Sequence, residues 1–167
     1  GSQFNELYYR IHFKLINQTQ TTNLLKFRTA NDGSIVGVFV NNLGKLGYRN
    51  DTASLTTFGT APETVVSPGV WHELQVRLWI NGPDGEIEFW LDGNRIAELS
   101  KTEGFGTNPI GRIQLGEKNP GVAFDIAYDN VAVDTEFISS GITPIPPTDT
   151  PTPTSTLTAT QTPTATQ

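Results

Sequence analysis

The 167-residue chain contains no cysteine and no methionine. Without cysteine there is no disulfide framework, no thiolate metal site and no cysteine nucleophile. Basic residues are scarce: 11 Lys and Arg stand against 17 Asp and Glu, for a formal net charge of −6, and none lies beyond Lys118. A chain of this sign lacks the basic surface that phosphate backbones and anionic lipids attract. No apolar run approaches the roughly 18 residues that span a bilayer. No segment carries an i, i+3, i+4 apolar stripe, so helices contribute little. The chain opens on Gly1-Ser2 rather than Met, which reads as the remnant of a cleaved tag (residues 1–3) ahead of a piece of a larger protein.

What is present is strand signal. Leu7, Tyr9, Ile11, Phe13 and Leu15 alternate with Tyr8, Arg10, His12 and Lys14, the period of a half-buried strand. Leu25 and Phe27 continue the pattern, Asn31-Asp32-Gly33 marks a hairpin turn, and the apolar run Ile35–Val40 leads through Asn41–Gly44 to Leu46 and Tyr48. Residues 7–49 therefore read as a meander of four strands. Between Val70 and Leu99, Leu74, Val76, Leu78 and Ile80 alternate with Glu73, Gln75, Arg77 and Trp79. After Asn81–Gly85, Ile87, Phe89 and Leu91 alternate with Glu86, Glu88 and Trp90, and Asp92-Gly93 turns toward Ile96 and Leu99. This is a three-stranded antiparallel unit with one buried face. Ile113 and Leu115 make a short strand; Val122, Phe124, Ile126 and Tyr128 make a long one whose phase slips at Asp129-Asn130, the mark of a bulge. Ten or so short strands with frequent turns predict an all-β fold, a two-sheet antiparallel sandwich over residues 4–140.

Residues 141–167 differ in kind. Pro is frequent and Thr occupies every even position from 148 to 166. Such a segment has too few apolar residues to offset its ordering entropy and reads as an extended linker or O-glycosylated stalk. The candidate glycosylation sites are Thr148, Thr150, Thr152, Thr154, Thr156 and Thr158.

Trp71-His72-Glu73-Leu74-Gln75-Val76, followed by Ile87–Asp92-Gly93 and closed by Asp129-Asn130-Val131-Ala132-Val133, resembles the concanavalin A-like lectin/glucanase superfamily, in particular its laminin-G-like jelly rolls. The opening strands fit as well, so the resemblance covers roughly residues 4–138. It implies a jelly roll more than any activity. In that setting Trp71 is expected to plug one end of the core.

Some relatives are glycoside hydrolases with a Glu-x-Asp-x-x-Glu strand. Glu86-Ile87-Glu88-Phe89-Trp90-Leu91 departs from it, with Glu in the middle and Leu91 in place of the last acid. A retaining mechanism needs two carboxyls about 5 Å apart, and the expectation is a non-catalytic domain. His12 and His72 lie in no metal or triad spacing. Some laminin-G-like domains bind calcium, and Asp125, Asp129 and Asp134 are the candidate oxygen ligands; no other cofactor is implied.

The aromatic pattern carries the main functional expectation. Trp79 and Trp90 lie opposite the apolar set, beside Gln75, Arg77, Glu86 and Glu88. Outward rings stack on sugar C–H faces, while amide, guanidinium and carboxylate groups pair with hydroxyls. Trp79, Trp90, Arg77, Gln75 and Glu88 thus form either a glycan platform or a protein interface. The plain alternatives are that loops or the tail cover the rings, or that Arg77 stacks on Trp90. The expected role is a secreted carbohydrate-binding module, tethered to a bacterial cell-surface protein by the Thr/Pro stalk. The alternative is a structural subunit of an extracellular fibre, its tail docked on a neighbouring copy, and a degenerate glucanase is the third reading.

Overall fold

The structure, a computed structural model, describes residues 1–139. The Thr/Pro-rich segment and its candidate glycosylation sites lie outside the described residues. Two antiparallel sheets face one another. The first runs β11 (Phe124–Asp134), β1 (Glu6–Gln18), β6 (Trp71–Trp79), β7 (Glu86–Leu91), with short β8 (Asn94–Arg95) and β9 (Lys101–Thr102) pairing on β7. The second runs β10 (Arg112–Leu115), β2 (Thr22–Arg28), β3 (Ser34–Val40), β4 (Leu46–Asn50), β5 (Leu55–Phe58). No helix among the described residues is long and apolar enough to cross a membrane.

Alternation places the core where the pattern predicts it. Leu7, Tyr9, Ile11, Phe13 and Leu15 of β1 are buried, as are Leu74, Val76 and Leu78 of β6 and Ile87, Phe89 and Leu91 of β7. Across the gap they meet Leu25, Phe27, Val36, Val38, Leu46 and Tyr48. Two aromatic pairs join the sheets: Tyr9 meets Phe27 edge-on at 5.9 Å, and Tyr48 stacks on Phe89 at 5.5 Å. Burying side chains of this size contributes about 2–3 kcal/mol each.

Three local expectations are refined. The four-strand meander fails at its first step, because β1 pairs with β6 and β11 rather than β2, and Thr19–Thr21 carries the chain across to the other sheet. Alternation specifies which face of a strand is buried; it does not specify the neighbouring strand. The predicted three-stranded unit exists, with Asp92 (φ 52°) and Gly93 (φ 77°) making the two-residue turn. Its third strand ends at Arg95, and Ala97–Leu99 turns as a 3-10 helix. The bulge is as predicted: Arg10 faces Ala132 and His12 faces Asp129, leaving two residues of β11 opposite Ile11, with Asn130 at φ 47°.

Trp71 does not plug the core. It is 47% exposed, with the Lys14 ammonium 5.2 Å from its ring. The buried member of the pair is His72, because β6 places it on the face of Leu74. Its Nδ1 lies 2.7 Å from the Asp92 carboxylate, and its Nε2 accepts the Ser67 N–H at 3.1 Å. Asp92 also accepts the Glu73 N–H at 2.8 Å. The Trp-His and Asp-Gly motifs are thus two ends of one structural staple between the start of β6 and the end of β7.

Candidate functional site

Trp79, Trp90, Arg77, Gln75 and Glu88 do share the outer face of the first sheet, in adjacent rows set by register: Arg10–Gln75–Trp90, Tyr8–Arg77–Glu88 and Glu6–Trp79–Glu86. Their partners, however, are intramolecular. Arg77 donates from Nε to Glu6 at 2.6 Å and from Nη1 to Glu86 at 2.7 Å and Glu88 at 2.9 Å. Burial works against its charge, yet hydrogen bonds to these carboxylates outweigh it and hold the guanidinium above the usual arginine range. Glu88 takes a further ion pair from Arg95 at 3.0 Å. The Arg77 guanidinium lies 5.9 Å from the ring of Trp79, not on Trp90.

Trp90 is covered. Phe137 packs against it at 5.2 Å and against Tyr8 at 6.0 Å. The Ile138 N–H donates to Gln75 Oε1 at 3.2 Å, and Arg10 Nη1 donates to the Ser139 carbonyl at 2.8 Å. Residues 137–139 therefore lie as a strap across this face. Replacing Phe137 by alanine is expected to cost about 1 kcal/mol, the scale of one aromatic pair. It should also red-shift tryptophan emission, a shift absent when Trp90 is already Phe; unchanged emission would count against the strap.

The three aspartates are not gathered. At a strand rise of about 3.3 Å per residue, Asp125 and Asp129 sit about 13 Å apart, and Asp134 lies farther on. Among the described residues no group of three or more His, Asp or Glu side chains could hold a metal ion. The Asp129 carboxylate accepts the Asn130 N–H at 2.7 Å, and that of Asp134 accepts the Thr135 N–H at 2.7 Å, so both shape local turns. His12 is engaged by Glu73 at 3.0 Å.

The second sheet presents the opposite situation. A groove of about 420 Å³ opens on its outer face. Register lines it with two rows across the strands: Asn23–Phe39–Gly47–Phe58 and Lys26–Gly37–Arg49–Thr56. The first row is aromatic. Phe58, 53% exposed, packs on Phe39 at 5.6 Å. Both rings fit because position 47 is glycine; a Cβ there would come within 2.7 Å of the Phe39 ring. The second row is cationic with a gap. Lys26 and Arg49 stand on either side of Gly37, where a Cβ would meet Asn23 Oδ1 at 3.1 Å and the Lys26 side chain at 3.3 Å. Strand spacing sets the two cation-bearing backbones about 10 Å apart.

Asp51 lines the groove and Glu117 lies beside it, and both acids are already engaged. Asp51 accepts Arg49 Nε at 2.7 Å. Glu117 is held by the side chain of Asn23 and by the N–H groups of Lys118 and Asn119 at 2.9 and 2.8 Å. Burial acts to raise the Glu117 carboxyl, and these bonds outweigh it and hold it below the usual range. A second cavity of about 450 Å³ lies at one end of the sandwich, among Leu15, Ile16, Leu43, Val65 and Pro68, with no charged or aromatic lining.

Sequence reasoning passes over the groove because Phe39 sits in the uniformly apolar run Ile35–Val40, where no alternation sets it apart. The available signal is glycine inside strands, at Gly37 and Gly47, which marks close approach over the sheet.

No family model matches the sequence, and no curated protein matches it. Solved structures do match in fold. Cip1, a cellulose-induced protein, shares 15% identity at a TM-score of 0.62, over 82% of this chain and 71% of that one. A sialidase shares 12% at 0.59, over 80% of this chain and 13% of its own. The carbohydrate-binding module CBM66 from Bacillus subtilis shares 11% at 0.51, over 80% and 78%. The chain has the jelly-roll β-sandwich fold of the concanavalin A-like lectins and glucanases. A binding module and a sialidase stand side by side among these structures, so the likeness assigns no activity.

Proposed function

We propose that this domain is a non-catalytic carbohydrate-binding module whose ligand lies in the groove of the second sheet. The proposal extends to a secreted module, carried on a bacterial cell-surface protein by its Thr/Pro-rich segment as a glycosylated stalk. The observation that carries the binding role is the pairing, in one groove, of an exposed ring, Phe58, with amide, hydroxyl and guanidinium side chains. A pyranose requires both: rings for its C–H faces and directional groups for its hydroxyls. The fold shared with a carbohydrate-binding module supports the same reading.

Affinity electrophoresis of the full chain against a polysaccharide panel tests it. Retardation is expected, reduced about tenfold by Phe58→Ala, the scale of one stacking contact. Trp79→Ala and Trp90→Ala are expected to leave the retardation unchanged. Retardation lost in the tryptophan variants but kept in Phe58→Ala would move the site to the first sheet. No retardation by any glycan would overturn the proposal.

A second reading, a subunit of an extracellular assembly, is favoured by the open side of the sandwich between edge strands β10 and β11. There Ile113, Leu115, Val131 and Val133 are 39–45% exposed. Concentration-dependent sedimentation, abolished by Ile113→Lys, would support that reading; a monomer at all concentrations would exclude it.

A further inference from the structure

The geometry points to an acidic polysaccharide, one bearing carboxylate or sulfate groups, as the ligand class of this groove, an inference that rests on the carbohydrate-binding reading above. The free hydrogen-bonding capacity there is cationic. Arg49 is engaged only through Nε, by Asp51, which leaves its terminal N–H pair unpaired among the described residues, and its side chain is 55% exposed. That is the fork that pairs with a planar anion. Lys26 makes no ion pair within 4.0 Å among the described residues, and its ammonium lies near enough to Glu117 to help hold that carboxyl down. Asp51 and Glu117, the carboxylates close by, are each held by donors from the protein, and Glu117 is gripped from backbone and side chain together.

Gly37 gives the arrangement its shape. It sits between Lys26 and Arg49 in one cross-strand row, and the Lys26 stem and the Asn23 amide oxygen close over it, so the row carries only the two cations. A neutral sugar offers the guanidinium fork and the ammonium only hydroxyl acceptors. An anionic substituent laid over this row gives both a charged partner. Phe58, resting on the buried Phe39, then supplies the stacking surface one row along the sheet. The chain as a whole carries −6, so bulk charge repels a polyanion, and attraction must come from this local pair.

The test compares retardation of the full chain by polygalacturonate, its carboxyl-reduced counterpart, a sulfated galactan and neutral glucans and xylans, at low and at physiological salt. Retardation by the acidic polymers is expected, weakened by salt, and reduced about tenfold by Lys26→Met or Arg49→Met. Arg49→Lys should fall between, because it keeps the charge and loses the fork. Loss of retardation on carboxyl reduction identifies uronates as the source of the anion; stronger retardation by the sulfated galactan identifies sulfate esters. Retardation by neutral glycans only, unaffected by Lys26→Met and reduced by Phe58→Ala, would overturn the acidic ligand and leave the binding module standing. Failure of every glycan would overturn both. Both cations are on the solvent side of the sheet, and unchanged thermal melts of the variants separate lost binding from lost fold.

Discussion

Arg77→Met is expected to lower stability by about 2–3 kcal/mol at neutral pH while leaving glycan retardation of the residual folded protein intact. The magnitude follows from position. The Arg77 side chain is 15% exposed, whereas those of Glu6, Glu86 and Glu88 are 38%, 37% and 24% exposed. A fully buried ion pair costs about 3–5 kcal/mol to break from one side, and solvent screening of the half-exposed glutamates reduces that figure. Without the guanidinium, three carboxylates, one from β1 and two from β7, repel one another across one face. That repulsion is screened by salt, so the deficit should shrink at high ionic strength. Urea midpoints of wild type and variant at low and at high salt check this. A deficit independent of salt would show that Arg77 acts by packing rather than charge.

The same residue shows how far the sequence could be read. That Arg77, Glu86, Glu88, Trp79 and Trp90 face away from the core followed from strict alternation around Leu78 and Phe89, and the structure agrees. That they bind one another did not follow. Glu6 reaches Arg77 only because β1 lies beside β6, with Tyr8 opposite Arg77. Pairing between strands some 70 residues apart is set by the packing of the whole sandwich and leaves no mark on local periodicity. The strap is similar. Phe137 follows the last strand and carries no pattern, yet it covers part of the Trp90 ring.

The groove was hidden for a different reason. In β3 the outward residue Phe39 is as apolar as its inward neighbours Val38 and Val40, and Phe58 leaves it only 5% exposed. Composition therefore marks the whole run as core. Arg49 and Lys26 are ordinary outward residues when read singly. They become a pair through the register Lys26–Gly37–Arg49, which depends on a bulge between Asn23 and Leu25 that shifts β2 against β3. The two inward-facing halves of the sandwich were legible, and the chemistry of its outer faces was not, because burial selects residue type strongly on one side of a strand and only weakly on the other.

Alkaline titration is expected to unfold the domain between about pH 10 and 12. Burial pushes the Tyr9 and Tyr48 phenols up to about 12, and raises Tyr128 further still. Tyr9 and Tyr48 are both fully buried between the sheets. In the folded protein these hydroxyls stay neutral, whereas in the unfolded chain they ionise near pH 10. Their contribution is therefore complete below pH 10 and is lost as the pH rises through the folded-state value, at about 2 kcal/mol for each of Tyr9 and Tyr48. Urea midpoints followed from pH 8.5 to 12 should fall steeply for wild type and less for Tyr48→Phe (about two thirds of the loss, if the three phenols contribute equally). A flat profile would mean that the phenols reach water in the native state. Because Tyr48 lies on β4 between Gly47 and Arg49, its side chain anchors the core directly behind the groove. Ionising it should remove glycan retardation and near-ultraviolet dichroism together, and separate midpoints for the two would place the binding surface elsewhere.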